Sequence, residues 1–360
     1  MSRISKPLNA VGVYVSAGGF SLGVQEYFQI GAHITDQKFG AEALERNFPE
    51  VPVFNWEGEW STEIAPKEVD LVYCAPPCAP FSPIGNAGKD FQNDPRTDKL
   101  WNSVTIGLNL EPTIWIMESL PTFHRKAQGW IRQIKERFWE KDYAITEFWT
   151  GAILHGAAQR RIRYHLIAHK VRLRFPKLDM DGPFTFRDAM RKWSIPSESK
   201  KNGKHRYQRL SPEGKIARII PRVPPGGSCR QTWAQVYRVD HNLPGIPWRR
   251  CHWDRPSTAM TGAIRQIHPR YDRVLTVGEC MALCGYPQDY WLPESNSQAY
   301  ASIGKGVLPP VGRYLARMAR LSLIAGNTDL RSYDEIIDFR PNVNAIMRTF
   351  PKVGLKRALR

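Results

Sequence analysis

The sequence predicts an α/β fold, a doubly wound and mostly parallel sheet of Rossmann-like type joined to a smaller irregular region, on three observations. Over residues 8–170, short apolar runs alternate with stretches of helical period. Strands separated by helices pair in parallel with helices on both faces. Over residues 171–250 this periodicity fades while Lys, Arg, Pro, Gly and Trp accumulate, as in Pro224-Pro225-Gly226-Gly227. Over residues 251–325 it returns, so the chain is expected to rejoin its first domain there. Residues 326–360 read as a basic tail of mixed character.

Taken in order, Val11-Gly12-Val13-Tyr14-Val15 predicts a buried strand, Ala17-Gly18-Gly19-Phe20 a tight turn, and 22–28 a helix. A second strand is expected over 31–35 and a second helix over 40–47. Further strands are expected over 70–74, 113–117 and 163–168, and an amphipathic helix over 311–323. Ligands of such sheets sit at the carboxyl ends of the strands, where Gly18 and Cys78 fall.

Composition bounds the function. The chain has 360 residues, 42% hydrophobic and 24% charged, as expected of a soluble globular protein. No apolar stretch approaches membrane-spanning length, and the first residues lack the apolar core of a signal peptide. Six scattered cysteines suit a reducing cytoplasm, and no spacing calls for a disulfide framework. A net charge of +17 favours a polyanionic partner such as nucleic acid. The run Lys200-Lys201-Asn202-Gly203-Lys204-His205-Arg206 reads equally as a phosphate contact or a solvated loop.

The most informative tetrad is Ala75-Pro76-Pro77-Cys78, which closes the apolar run Asp70-Leu71-Val72-Tyr73-Cys74. Two prolines stiffen the turn, and a cysteine held at a strand end is a candidate thiolate nucleophile. Taken alone, such a turn is more often structural. The pairs Cys74/Cys78 and Cys280/Cys284 have spacings that suggest a metal, but they lack His partners; Cys280 and Cys284 are expected to pack in a helix, and no metal is expected.

Further motifs accompany Pro77-Cys78 in order: Ser16-Ala17-Gly18-Gly19-Phe20, Met117-Glu118-Ser119-Leu120, Gln159-Arg160-Arg161-Ile162-Arg163, Arg255-Pro256-Ser257-Thr258-Ala259-Met260-Thr261 and Gly304-Lys305-Gly306-Val307. In that order they resemble the DNA cytosine-5 methyltransferases over roughly residues 10–320. The resemblance implies a class I methyltransferase catalytic domain over 8–170, a target recognition domain over 171–250, and a return to the catalytic domain over 251–325. It implies attack of Cys78 on carbon 6 of a flipped cytosine, with Glu118 protonating ring nitrogen 3, Arg163 binding the exocyclic oxygen and orienting Glu118, and Arg161 ordering the nucleophile loop.

The same resemblance implies S-adenosylmethionine as cofactor, with Tyr14, Ser16, Ala17, Gly18, Gly19, Phe20, Asp36, Asn55, Pro77 and Lys305 around it. Double-stranded DNA is the implied partner, with Ser82, Gln159 and Arg255 as contacts, and the protein is expected to be monomeric. Departures from the family pattern carry information. Ser16 replaces a glycine, Thr35 with Asp36 stands where a ribose-binding acid is expected, and Ser119 and Lys305 replace asparagines. A lysine at 305 opens an alternative, transfer of a carboxymethyl group from carboxy-S-adenosylmethionine. An RNA cytosine methyltransferase is a second alternative, and a DNA-binding homologue without catalysis a third. The long basic segment between Arg163 and Arg255 favours duplex DNA, destined for a restriction system or for phage genome modification.

Overall fold

The computed structural model describes residues 7–36, 38–56, 68–82, 90–178, 184–193, 206–237, 248–330 and 334–350. Most of the run 200–206 lies outside the described residues. The chain forms two compact units. The first comprises Met1–Gly151, Ile162–Leu178 and Lys305–Arg340; the second comprises Ala152–Arg161, Asp179–Gly304 and Pro341–Arg360.

Among the described residues, ten strands run in chain order: β1 (Asn9–Val13), β2 (Gln29–Ile34), β3 (Val53–Phe54), β4 (Leu71–Cys74), β5 (Ile114–Ser119), β6 (Ala144–Gly151), β7 (Ile162–His169), β8 (Arg249–Arg250), β9 (Gln266–Ile267) and β10 (Asp334–Asp338). Eight of them make the sheet of the first unit, in the order β10-β6-β7-β5-β4-β1-β2-β3. Strand β7 is antiparallel to β5 and β6, and every other pair in this sheet is parallel. A parallel sheet covered on both faces needs apolar residues on both faces, which explains why β4, β5 and β6 are buried along their whole length.

Three strands of this sheet were not expected from the sequence: β3, β6 and β10. Strand β6 reads Ala-Ile-Thr-Glu-Phe-Trp-Thr-Gly, and its buried Glu147 breaks the apolar pattern. The carboxylate is tolerated because Lys135 Nζ (2.7 Å), Tyr164 Oη (3.0 Å) and His124 Nε2 (3.1 Å) surround it. Strand β10 carries three acids and is half exposed, an edge-strand composition, and Lys135 also pairs with its Asp334 (3.1 Å). The tail read as mixed thus adds a sheet edge and the helix Arg340–Thr349. The first helix is Gly19–Val24, earlier and shorter than the 22–28 expected.

The helices Gly19–Val24 and Pro309–Ala325 approach backbone to backbone through two glycines. A Cβ on Gly23 would lie 2.0 Å from Arg313 N, and one on Gly312 would lie 2.8 Å from Phe20 O. This contact fixes the start of the long helix, just past Lys305-Gly306-Val307-Leu308, against the helix that leaves the Ser16–Gly19 loop. Neither backbone can retreat, so Gly23→Ala is expected to lower stability by about 2–3 kcal/mol in urea denaturation. Gly129, on the helix Gln128–Trp139, has nothing within 4 Å of its Cβ position, and Gly129→Ala should be neutral or stabilise by up to about 1 kcal/mol.

Candidate active site

The turn after β4 presents Cys78. The backbone of Ala75 still pairs with Val13 O (3.2 Å), and Cys78 then caps a short 3-10 turn, Ala79–Phe81, at φ −90° and ψ 0°. That region of backbone space is sparsely used and recurs at active sites. Of the six cysteines, Cys78 alone is not buried. Burial pushes the thiol of Cys229 up to about 11, those of Cys251 and Cys284 to about 12, and those of Cys74 and Cys280 well above their ordinary range. Five thiols are thereby held as inert packing, Cys280 and Cys284 together in the helix Val277–Cys284, and Cys78 is the one cysteine outside this group.

Neighbouring strands bring the acid and a base partner to the same sheet end. Cys74 stands opposite Met117 on β5, and Glu118 opposite His165 on β7. Glu118 is 2% exposed, and Arg163 Nε lies 2.7 Å from its Oε1. The antiparallel course of β7 makes the pair possible, because it starts at the end where β5 finishes. The turn of Cys78 and the helix that follows Glu118 are pinned by an aromatic cluster: Phe81 packs on Phe123 (4.8 Å between ring centroids), Phe91 (5.3 Å) and Trp130 (6.0 Å).

The loop after β1 is strained. Tyr14 and Ser16 adopt left-handed φ values of 52° and 56°, and Gly18 one of 82°. Non-glycine residues held there cost about 1–3 kcal/mol each, a cost that recurs where loops grip ligands. The Ser16 Oγ is buried and has no hydrogen-bond partner among the described residues. After β2, Asp36 pairs through Oδ2 with Lys99, while its buried Oδ1 has no hydrogen-bond partner among the described residues. One hydroxyl and one carboxylate oxygen thus await a polar ligand, and they fit the amino-acid and ribose groups of S-adenosylmethionine. Tyr14 and Phe20 are 2% and 0% exposed; the ring of Phe20 packs edge-on against Tyr73 (4.8 Å) and belongs to the core. Asn55, beyond β3, is exposed, as is Lys305, while Pro77 and Ser82 are half-buried.

Three other motifs meet inside the second unit. Arg161 is 3% exposed and donates from Nη1 to Met260 O and Gly304 O, both at 2.9 Å. It therefore ties the loop around Met260 to Gly304, where the resemblance gave it the loop of Cys78. Gly304 admits no side chain, since a Cβ would lie 2.0 Å from Thr261 O. Gln159 corrects an expectation. It was assigned to DNA, yet it is fully buried, with Nε2 on Cys284 Sγ (3.0 Å) and Oε1 accepting from Met260 N (3.0 Å). Both ends of its amide serve the protein interior. Arg255 is half-buried, and its carbonyl accepts from Phe186 N (2.9 Å).

Sequence reasoning missed Thr276 and Glu279, which close a capping box at the helix Val277–Cys284, with Arg273 forking onto Glu279 (2.8 and 2.9 Å). The Thr-x-x-Glu spacing was the available signal. Among the described residues, no cluster of three His, Cys, Asp or Glu could hold a metal, and no helix is long and apolar enough to cross a membrane. The Glu118–Arg163 pair yields a direct test. Arg163→Met strands a buried carboxylate and should cost about 3–5 kcal/mol in urea denaturation. The double variant Arg163→Met/Glu118→Gln should recover most of that loss.

Comparison with known proteins sets this geometry in a family. The Type II methyltransferase M1.HphI of Haemophilus parahaemolyticus is 24% identical over 323 residues, 86% of this chain and 86% of that protein. Type II methyltransferase M.HhaI, from the same organism, is 25% identical over 86% of this chain and 93% of its own. Among solved structures, a prophage-encoded protein of E. coli described as a DNA modification methyltransferase superposes with a TM-score of 0.65 at 19% identity, covering 88% of this chain and 99% of that one. A methyltransferase of Entamoeba histolytica superposes at 0.63 and 14% identity, covering 89% and 99%. Both share the fold. The family model for C-5 cytosine-specific DNA methylase matches residues 9–320, and with the sheet order and motif positions above, this chain belongs to that family.

Proposed function

We propose that this protein modifies carbon 5 of a flipped cytosine in double-stranded DNA, through a covalent bond between Cys78 and carbon 6. The observation that supports this most is the juncture of β4, β5 and β7, where the one cysteine that is not buried leaves the strand beside buried Glu118 and its partner Arg163. Carbon 5 of cytosine is a poor nucleophile. Addition of the Cys78 thiolate to carbon 6 pushes an electron pair into the ring, and a protonated Glu118 meets it at nitrogen 3. Arg163 fixes the rotamer of Glu118 and donates toward the exocyclic oxygen. Removal of the carbon 5 proton and elimination then release Cys78. These atoms are inaccessible inside a duplex, so the base must leave the stack. When bound, S-adenosylmethionine supplies the electrophilic one-carbon group, held by Ser16, Gly18 and Asp36.

Lys305 carries a narrower reading. By resemblance it stands where the family has a neutral amide near the cofactor's reactive end. The close Gly23–Gly312 contact, all within the first unit, keeps the nearby start of the helix Pro309–Ala325 against the residues after the cofactor loop. A cation there favours a cofactor bearing an extra carboxylate, and with it transfer of a carboxymethyl group. The relatives named type II methyltransferases favour use within a restriction system, and modification of a phage genome is the alternative use.

Mass spectrometry of nucleosides from duplex DNA treated with each cofactor tests both levels. Wild type should form 5-methylcytosine with S-adenosylmethionine and 5-carboxymethylcytosine with the carboxylated form, and Cys78→Ser should lose at least 1,000-fold in rate with either. Lys305→Asn should lose the carboxymethyl product selectively. If 5-methylcytosine forms with S-adenosylmethionine and no 5-carboxymethylcytosine forms with the carboxylated cofactor, the carboxymethyl reading is wrong; if tRNA is modified and duplex DNA is not, the DNA reading is wrong.

A further inference from the structure

Several arginines of the second unit are well satisfied. Buried Arg250 makes five hydrogen bonds, to the carbonyls of Ile220, Val223, His268 and Tyr271 and to Asp272 Oδ1. Arg273 forks onto Glu279, and Arg187 pairs with Asp254 (2.8 Å). Arg265 differs from these. Its side chain is half-buried, its Nη1 is buried, and that nitrogen has no hydrogen-bond partner among the described residues. Burial pushes its guanidinium below the ordinary range, with no carboxylate acting against the shift. A desolvated N–H with no acceptor costs about 1–3 kcal/mol, more for a charged group, unless something outside the chain completes it.

The backbone beneath Arg265 is fixed. Arg249 N donates to Arg265 O (3.1 Å), and Arg265 N donates to Gln266 Oε1 (3.2 Å). The amide of Gln266 in turn holds Thr258 Oγ1 (3.2 Å) and Ala259 O (3.1 Å), so the loop between them is laced shut. A planar fork of donors on a rigid support suits a pair of acceptors at one fixed place. The acceptor pair that duplex DNA offers in fixed register is O6 and N7 of guanine. Arginine also meets phosphates bidentately, but a phosphate carries no sequence information, so only a base contact produces a preference at one position.

Resting on the DNA reading above, we propose that Arg265 is a specificity-determining residue that reads one guanine of the target site. Plasmid DNA modified by wild type, Arg265→Ala and Arg265→Lys, followed by sequencing of the modified cytosines, tests this. Wild type should show a defined consensus, and both variants should lose about ten- to a hundred-fold of discrimination at one guanine. The thermal midpoint of Arg265→Ala should be unchanged or raised, since no bond of the folded protein is removed from Nη1; a structural role predicts a fall. An intact consensus overturns the inference, whether activity is unchanged or uniformly weaker, because a uniform loss marks a phosphate contact. A wild type that modifies no DNA overturns the DNA reading as well.

Discussion

A buried carboxylate beside a half-buried guanidinium is the arrangement on which the rest of this active site depends. Glu118 ends β5 with 2% of its surface exposed, and an isolated charge so far from water is untenable without a partner. The partner comes from the one strand of the eight-stranded sheet that runs against its neighbours. If β7 were parallel, Arg163 would lie at the opposite end from Glu118, and no side chain spans that distance. The reversal of β7 therefore has a chemical consequence: it places Arg163 Nε at 2.7 Å from the carboxylate, at the sheet end where β4 releases Cys78.

Two further constraints keep that end of the sheet in shape. The Pro-Pro-Cys turn is anchored from behind by Phe81, whose ring is 1% exposed and packs on Phe123, one turn past the strand of Glu118. Nucleophile and acid thus share one aromatic cluster, and displacement of either segment disturbs both. The cofactor loop uses the opposite strategy. It stores left-handed backbone at Tyr14 and Ser16 and leaves the hydroxyl of Ser16 without an acceptor or donor among the described residues, so part of its conformational cost is available to be offset by a ligand.

Much of this was legible in the sequence, for physical reasons that differ by residue. Cys78 stood out because two prolines and an apolar strand leave one geometry for the turn. Glu118 was readable only through the resemblance of its motif, since a lone carboxylate at a strand end reads as a cap or an ion pair. Strand β6 was not readable, since Glu147 looks like a surface residue until Lys135, His124 and Tyr164 are seen around it. Strand β10 was hidden by its acids, which suit an edge and not a core. Gln159 was misassigned to DNA because its motif neighbours suggested a surface, whereas its partners, Cys284 and Met260, are 125 and 101 residues away in sequence. Long-range partners of this kind leave no local pattern.

The central claim is that Cys78 forms the covalent bond, with Glu118 and Arg163 assisting. Intact mass and peptide mapping of the protein after incubation with S-adenosylmethionine and a duplex carrying 5-fluorocytosine in its target site would test it most directly. Fluorine at carbon 5 cannot leave as a proton, so the adduct should persist, add the mass of the oligonucleotide, and map to the peptide containing Cys78. It should form far more slowly in Glu118→Gln. An adduct mapped to another residue, or modification of ordinary cytosine with no trapped adduct, would contradict the account.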